Sequence, residues 1–283
     1  MQIVIASGKG GTGKSTVAAN LAWSRAQAAP VTLVDCDVEE PNLHLFFPGG
    51  HTDTPVTRLV PAFDSERCTR CGDCGRFCRF GAIAVLKDRV LFFPEICHSC
   101  GGCALVCPNA AITERPISLG RIEERHPLPD LKLISGVMNE GEAVGIPVIQ
   151  AAKEVAAGDA TVILDSSPGT ACPVIETVKG SDVCVLVTEA TPFGLHDLKL
   201  AAEVVSSLGV PACVVINRSC GDEDETEAFC REQGLPVFLR IPFSREIAAV
   251  QNRGGLISRD LPDWQAAFAG LYEQVVSHVE VQR

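Results

Sequence analysis

The string GKGGTGKS at residues 8–15 is the feature that most constrains this chain. It satisfies the pattern G-x4-G-K-[ST], follows the apolar run QIVIA (2–6) and opens a helical pattern at 14–28. In this setting the glycines let backbone N–H groups approach a phosphate, and the helix N-terminus attracts negative charge. The string therefore predicts a strand–loop–helix unit that binds the phosphates of a nucleotide such as ATP.

Individual positions of this phosphate loop have predicted roles. Lys14 is expected to reach the β- and γ-phosphates of ATP, and the Ser15 hydroxyl is expected to hold Mg²⁺. The other loop residues are expected to line the nucleotide. They are Gly8, Lys9, Gly10, Gly11, Thr12, Gly13 and Thr16.

Short apolar runs rich in β-branched residues recur along the rest of the chain. Runs that do not alternate between apolar and polar residues are typical of strands buried on both faces. They are VTLVD (31–35), TVILD (161–165), VCVLV (183–187), CVVIN (213–217) and VFLRI (237–241). Helical patterns accompany them at 14–28, 195–208, 222–233 and about 262–279. This alternation predicts an α/β fold with a doubly wound, mostly parallel sheet.

Two cysteine runs interrupt this pattern. CTRCGDCGRFC and CHSCGGCALVC share the spacing C-x2-C-x2-C-x3-C. Three thiolates from one tight turn suit a [4Fe-4S] cubane, and the fourth cysteine of each run then reaches the other cluster. Zinc is the alternative, but zinc sites rarely need four cysteines in one short run. The predicted ligands are Cys68, Cys71, Cys74 and Cys107 for the first cluster, and Cys97, Cys100, Cys103 and Cys78 for the second.

The cysteine-rich segment is predicted to be a module inserted into the sheet domain. It resembles a bacterial two-cluster ferredoxin, including the strings GAI and AAI that follow the two runs. One departure is Arg79, where that family usually has proline. The predicted division is 1–61 and 119–283 for the nucleotide domain, and 62–118 for the inserted module. Within 119–160, the string LKLISGVMNEGEAVGIPVI indicates a return strand, a glycine-rich loop and a helix.

The phosphate loop carries a second lysine, Lys9. The string KGGTGKST resembles the deviant loop of the MinD, Mrp, ParA and nitrogenase iron protein group. The resemblance implies an ATP-dependent homodimer in which Lys9 crosses the interface to the partner's nucleotide. Because positioned positive charge catalyses phosphoryl transfer, hydrolysis would then depend on dimerisation. The string DCDVEEPNL resembles the first switch of that group, which implies that Asp37 orients the attacking water.

Further candidate residues follow from the same resemblance. VILDSSPGTACP resembles the Walker B and second-switch segment. Asp165 is thus expected to bind Mg²⁺ through water, and Gly169 to offer its N–H near the γ-phosphate. Asn217 matches the position that reads the adenine, and Pro242 lies in the loop expected beside the base. Cys172 has the offset of a cluster ligand in the nitrogenase iron protein, but residues 108–171 contain no cysteine for the second ligand. Cys172 is therefore either a metal ligand across the dimer axis or a buried cysteine.

Composition excludes several classes of function. A formal net charge of −11 argues against sequence-independent nucleic-acid binding. There is no apolar run of about 18 residues and no secretory signal, so we expect a cytoplasmic protein without a membrane span. Cysteines in that compartment favour metal ligation over disulfides. A C-terminal helical stripe is predicted to face the core rather than a membrane. It consists of Trp264, Phe268, Leu271, Val275 and Val279.

Three functions compete on this evidence. The favoured one is an ATPase in which nucleotide-driven dimer rearrangement is coupled to electron transfer through two clusters toward a metalloprotein partner. The alternative is an ATP-dependent carrier or assembly factor for iron–sulfur or other metal centres. A spatial-positioning ATPase of the MinD or ParA kind is disfavoured. The sequence lacks both a basic amphipathic C-terminal helix and a basic surface for DNA.

Overall fold

The computed structural model describes residues 1–221 and 224–282. The strands in chain order are β1 (Gln2–Ala6), β2 (Val31–Asp35), β3 (Thr52–Phe63), β4 (Ile83–Val85), β5 (Val90–Phe92), β6 (Ile112–Leu128), β7 (Leu131–Met138), β8 (Val162–Asp165), β9 (Val183–Glu189), β10 (Ala212–Ser219) and β11 (Val237–Pro242). The helices are α1 (Lys14–Ala26), α2 (Asp73–Phe77), α3 (Gly102–Leu105), α4 (Ile146–Val155), α5 (Cys172–Val178), α6 (Pro192–Ser207), α7 (Asp224–Glu232), α8 (Arg245–Asn252), α9 (Ile257–Asp260) and α10 (Pro262–Gln282).

Nine strands form one sheet in the order β11-β10-β9-β1-β8-β2-β7-β6-β3. All neighbours from β11 to β7 are parallel, whereas β6 pairs antiparallel with both β7 and β3. The six predicted strands are therefore confirmed, and all lie in the parallel part. The predicted helix at 222–233 is observed from Asp224, and its first two residues lie outside the described residues.

Helices cover both faces of the sheet, as predicted for a doubly wound fold. Side chains alternate between the two cores along each strand, so Ile3 and Ile5 face one core while Val4 and Ala6 face the other. Helices α1 and α10 fill the first core, and α4 and α6 fill the second. Parallel strands buried on both faces need such continuous apolar runs.

The C-terminal stripe of α10 faces the first core, as predicted. Phe268, Leu271 and Val275 are fully buried and Val279 is nearly so, while Trp264 is partly buried against the same core. Among the described residues, no helix is both long and apolar enough to cross a membrane.

The cysteine-rich segment is held at the end of the antiparallel ribbon formed by β3 and β6. The last pair of this ribbon joins Phe63 to Ile112, so the chain between them is a small separate unit at 64–111. The predicted boundaries at 62 and 118 therefore fall inside two strands of the main sheet. Within the small unit, β4 and β5 form a hairpin, and α2 and α3 pack on a small core that includes Cys74 and Cys103.

Candidate functional site

The phosphate loop lies between β1 and α1, at the carboxyl edge of the parallel sheet. Gly13 precedes α1 in a left-handed conformation (φ 97°), and no side chain caps the helix. The first N–H groups of α1 are thus left for an anionic ligand. Gly8 is needed for close packing, because a Cβ there would lie 2.1 Å from the carbonyl oxygen of Asp197 on α6.

The two lysines of this loop have different surroundings. Lys14 is buried, and burial lowers the pKa of its ammonium while the nearby charges of Asp165 and Asp37 oppose that shift. Lys9 is only half-buried, and its ammonium makes no hydrogen bond or ion pair within the described part of the chain. Lys14 therefore lies inside the phosphate-binding site of its own chain, whereas the Lys9 ammonium has no hydrogen-bond or ion-pair partner among the described residues.

Two buried carboxylates lie side by side at the ends of β2 and β8. Asp35 and Asp165 are fully buried, and their backbones are paired in the sheet register. Burial raises the pKa of Asp165 to about 7, while the neighbouring Ser15 hydroxyl and Lys14 ammonium oppose this rise. Neither carboxylate oxygen of Asp165 accepts a hydrogen bond of normal geometry. Orphaned oxygens beside a serine hydroxyl suit a hydrated divalent cation, which fits the predicted Mg²⁺ site.

Asp35 is a residue that the sequence analysis did not single out. Its carboxylate accepts backbone N–H groups from Asp37 at 3.1 Å, Asn42 at 2.9 Å and Leu43 at 3.0 Å. Burial and the charge of Asp165 raise the pKa of Asp35. Asp35 thus shapes the segment 36–43, which carries the predicted water-orienting residue. The signal was available, because an aspartate that ends a buried strand and precedes a turn is typical of Asx turns.

Asp37 itself points toward the phosphate loop. Burial raises the pKa of its carboxyl, while the Lys14 ammonium and the Ser167 hydroxyl oppose that rise. A cleft of about 690 Å³ lies in front of these groups, a size that suits a nucleotide. Its lining includes Gly10, Gly11, Gly13, Lys14, Ser15, Thr16, Asp37 and Asn217.

The predicted nucleotide-binding residues Asn217, Gly169 and Pro242 have the following surroundings in the nucleotide-free structure. The Asn217 amide donates to the carbonyl oxygen of Thr12 at 2.8 Å, so this side chain braces the phosphate loop besides lining the cleft. The N–H of Gly169 donates to the carbonyl oxygen of Ser7 at 3.0 Å. In this nucleotide-free conformation that donor is used within the protein, and the contact of the Gly169 N–H with the γ-phosphate stays a prediction. Pro242 is exposed at the end of β11.

The eight cysteines of the small unit line two cavities, and each cavity takes three cysteines from one run and one from the other. The first cavity is lined by Cys68, Cys71, Cys74 and Cys107. The second cavity is lined by Cys78, Cys97, Cys100 and Cys103. This division is the one that the spacing predicts for two cubanes, and the donor set of four thiolates per cavity fits such a group.

Both runs fold with the same backbone pattern. The residue before the second cysteine is left-handed in each run, namely Arg70 (φ 58°) and Ser99 (φ 53°), and so is the residue after it, Gly72 or Gly101. With this shared pattern, the first three cysteines of each run line one cavity. In each cavity one cysteine sulfur also accepts a backbone N–H: Cys97 in the second cavity accepts from Ser99 at 3.5 Å, and Cys107 in the first accepts from Ala111 at 3.3 Å. Hydrogen bonds to sulfur are a usual means of tuning iron–sulfur clusters.

The remaining cysteines fall outside both cavities. Cys36, Cys184 and Cys213 are fully buried in the main cores, as predicted. Cys172 is exposed at the start of α5. No other metal-binding side chain is grouped with it among the described residues, so its candidate role as a ligand gains no support from this single chain.

The paired carboxylates lead to a testable prediction for the nucleotide-free protein. The folded chain holds a proton on Asp165 up to about pH 7, whereas the unfolded chain releases it near 3.8. The free energy of unfolding therefore falls as the pH rises through this window. Asp165→Asn removes the Asp165 proton and also the charge that raises the pKa of Asp35, so its stability advantage over the wild type should widen by about 2 kcal/mol or more between pH 5.5 and pH 8. Urea unfolding in the presence of a chelator measures this difference.

Asp130→Asn is the matched control, because Asp130 is exposed in the turn between β6 and β7. Its stability relative to the wild type should not change with pH. If the stability of Asp165→Asn relative to the wild type stays constant or falls between pH 5.5 and pH 8, the conclusion that burial raises the pKa of Asp165 would be wrong.

Known proteins are similar to this chain over most of its length. Residues 3–257 match the family of CobQ/CobB/MinD/ParA nucleotide binding domains. An uncharacterized protein of Methanocaldococcus jannaschii is 32% identical over 224 residues, covering 77% of this chain and 80% of that protein. The septum site-determining protein MinD of Pyrococcus horikoshii OT3, solved with Mg-ADP, has a TM-score of 0.59 at 19% identity, over 97% of this chain and 95% of that chain. At that identity the likeness shows the fold alone.

A further match concerns a smaller part of the chain. Ferredoxin-3 of Nostoc sp. is 26% identical over 88 residues, which cover 24% of this chain and 89% of that ferredoxin.

Proposed function

The chain belongs to the CobQ/CobB/MinD/ParA nucleotide binding family, and from that premise we propose that it is an ATPase that couples ATP-dependent homodimerisation to electron transfer through two [4Fe-4S] clusters. The recipient would be a metalloprotein partner, and the inserted unit would act as a ferredoxin-like module. Neither nucleic acid nor a membrane enters this proposal.

The phosphate-loop geometry supports the ATPase part of the proposal. In the proposed site, the N-terminus of α1 and Lys14 bind the phosphates of ATP, and Ser15 and Asp165 bind hydrated Mg²⁺. Asp37 orients the attacking water from segment 36–43, where Asp35 fixes the backbone. The Lys9 ammonium is the charge that the closed dimer adds to the partner's site, because catalysis of phosphoryl transfer depends on positioned positive charge.

The observation that carries the redox part is the division of eight cysteines between two cavities that share one small core. Each cavity has four thiols, which is the ligand count that a cubane needs. When bound, each cluster would accept and release one electron at a time. The match to a ferredoxin over 89% of its length adds support for an iron–sulfur module in this chain.

Anaerobic purification followed by metal analysis tests this proposal. We expect about eight irons and eight sulfides per chain, little zinc, and a redox potential that changes when Mg-ATP is added. A colourless protein that contains zinc would overturn the redox part, and a protein that ignores ATP would overturn the coupling.

A carrier or assembly role is the second candidate, and it would need two Cys172 thiols facing each other across the proposed dimer, since one chain offers no second ligand beside this cysteine. This thiol is exposed on the nucleotide domain, outside both cavities, where a transferable metal centre would be accessible. The same preparation separates the two candidates. Iron that moves to an apo-protein on addition of ATP supports the carrier, whereas iron that stays bound while its potential changes supports electron transfer.

A further inference from the structure

Arg58 on β3 joins the second cysteine run to the nucleotide domain. Its side chain is only 8% exposed. The Nη1 group donates to the carbonyl oxygen of Cys97 at 2.8 Å, and Nη2 donates to the carbonyl oxygen of Pro94 at 2.9 Å. The planar guanidinium therefore fixes the backbone at the start of the run that lines the second cavity.

The same guanidinium is paired with Glu142. Its Nη2 lies 2.9 Å from a carboxylate oxygen of Glu142, which belongs to the loop between β7 and α4. This loop, residues 139–145, is itself tied to the sheet, since the N–H of Asn139 donates to the carbonyl oxygen of Leu119 at 2.9 Å. Arg58 is buried and Glu142 is partly buried, so loss of the carboxylate would leave the buried guanidinium charge without its partner, which is costly. The pair therefore stabilises the arrangement in which the loop and the cysteine run lie together.

Both ends of this loop contact Val38, which follows the predicted water-orienting Asp37. The N–H of Met138 donates to the carbonyl oxygen of Val38 at 2.9 Å. Val38 is held between two glycines: a Cβ on Gly136 would lie 2.8 Å from its side chain, and a Cβ on Gly145 would lie 2.7 Å from it. Since close-packed interiors transmit displacements, a shift of Val38 must move residues 136–145 as well.

The first cysteine run lacks an equivalent connection. Its side-chain hydrogen bonds stay within the small unit, for example from Arg76 to the carbonyl oxygen of Cys71 at 3.2 Å and from Asn109 to Thr69 at 2.8 Å. Over the described residues, no side-chain hydrogen bond joins the run 68–78 to the nucleotide domain. The two cavities therefore differ in how firmly they are attached to the nucleotide site.

We propose that the Arg58–Glu142 ion pair is a positioning device that carries nucleotide-dependent movement of segment 36–43 to the second cysteine run. ATP binding then changes the surroundings of the second cavity more than those of the first. This inference rests on the proposed function, because it names the route by which the same nucleotide site acts on one cluster. Arg58 and Glu142 are positioning residues, since neither contacts the nucleotide cleft.

Hydrogen exchange of the full-length protein, with and without a Mg-bound non-hydrolysable ATP analogue, tests the connection. In the wild type the analogue should slow or speed the amides of 94–101 by about threefold or more, as expected when a local opening equilibrium shifts. Glu142→Gln should abolish that response while keeping the response of the phosphate loop. Glu140→Gln is the matched control, because Glu140 is exposed in the same loop and makes no ion pair within the described chain.

A second variant, Arg58→Lys, tests the same ion pair in case Glu142→Gln does not fold. Arg58→Lys keeps the buried charge but loses the planar fork, so it should reduce the response of 94–101 without unfolding the protein. An unchanged response at 94–101 in both variants would overturn the inference. So would a wild-type protein in which the phosphate loop responds to the analogue and 94–101 does not.

A redox titration separates this inference from the proposed function. In the cluster-loaded wild type, the analogue should shift the potential of one cluster more than that of the other, and Glu142→Gln should remove the difference. A protein without iron defeats the proposed function, while hydrogen exchange still decides whether the two segments are linked. A protein with eight irons whose 94–101 amides ignore the analogue keeps the proposed function and loses the inference.

Discussion

Replacing Lys9 by alanine is expected to lower the ATP turnover number by about 10³-fold, the size of effect known for charges supplied in trans to phosphoryl transfer. The affinity for ATP should stay within about threefold of wild type, because Lys14 and the N-terminus of α1 provide the ground-state contacts. Lys14→Ala should differ by losing ATP binding itself. Steady-state hydrolysis and equilibrium binding of a labelled nucleotide measure the two quantities.

A mixing experiment decides whether Lys9 acts across a dimer. The Lys9→Ala chain keeps a complete site of its own but lends no lysine, whereas Asp37→Asn keeps the lysine but not the residue that orients water. An equimolar mixture of these inactive chains should recover about a quarter of the wild-type rate, since random pairing makes about half the dimers mixed, each with one complete site. Absence of any recovery, with dimers shown to form, would place Lys9 in its own site.

Loss of the fourth cysteine of one run is expected to destroy the cluster of the other run. Cys78 lines the cavity formed by the second run, and Cys107 lines the cavity formed by the first. Cys78→Ser should therefore lose about four of eight irons and leave the first cluster intact. The distinguishing measurement is alkylation of the folded protein followed by mass spectrometry of the cysteine peptides.

The pattern of alkylation identifies which cluster is gone. In Cys78→Ser the thiols of Cys97, Cys100 and Cys103 should become reactive, while those lining the first cavity stay protected. Cys107→Ser should show the reverse. Cys172→Ser is the control, because this cysteine is exposed and outside both cavities, and its iron content should equal that of the wild type. Alkylation of the mutated run's own three cysteines would contradict the crossed arrangement.

The parallel part of the fold is predictable from local sequence, because each of its strands can be identified from its own residues without knowledge of the strand it pairs with. Runs such as VCVLV would be apolar on both faces of a strand, and this pattern is typical of strands buried inside a parallel sheet. The stripe from Phe268 to Val279 likewise identifies its own buried face. In both cases the burial that stabilises the element is already encoded in consecutive residues.

The ribbon of β3 and β6 could not be recognised in that way. β3 is an edge strand that contains Pro55 and Pro61 and is largely exposed over its first half. Proline is tolerated there because an edge strand leaves some N–H groups unpaired. Its stability comes from pairing with residues about fifty positions away, such as Phe63 with Ile112. The boundaries predicted for the cysteine-rich segment, 62 and 118, consequently fall within these two strands.

The site shows the same division between local and long-range information. The motif at 8–15 predicts the phosphate-binding groups, and the cysteine spacings predict the metal-binding thiols. Both predictions are possible because each pattern lies within a few neighbouring residues. The roles of Asp35 and Gly169 depend on contacts between strand ends and neighbouring loops, with partners such as Leu43 and Ser7. Only the folded chain determines which backbone donors are already used.

By itself the sequence determined the phosphate loop, the parallel strands and the two cysteine runs, since short-range spacing fixes each of them. The tertiary structure decided how these parts are joined. It set the cysteine unit on an antiparallel ribbon and linked its second run through Arg58 and Glu142 to the loop that packs on Val38. Such links join residues far apart in the chain, and their geometry exists only once the sheet has assembled.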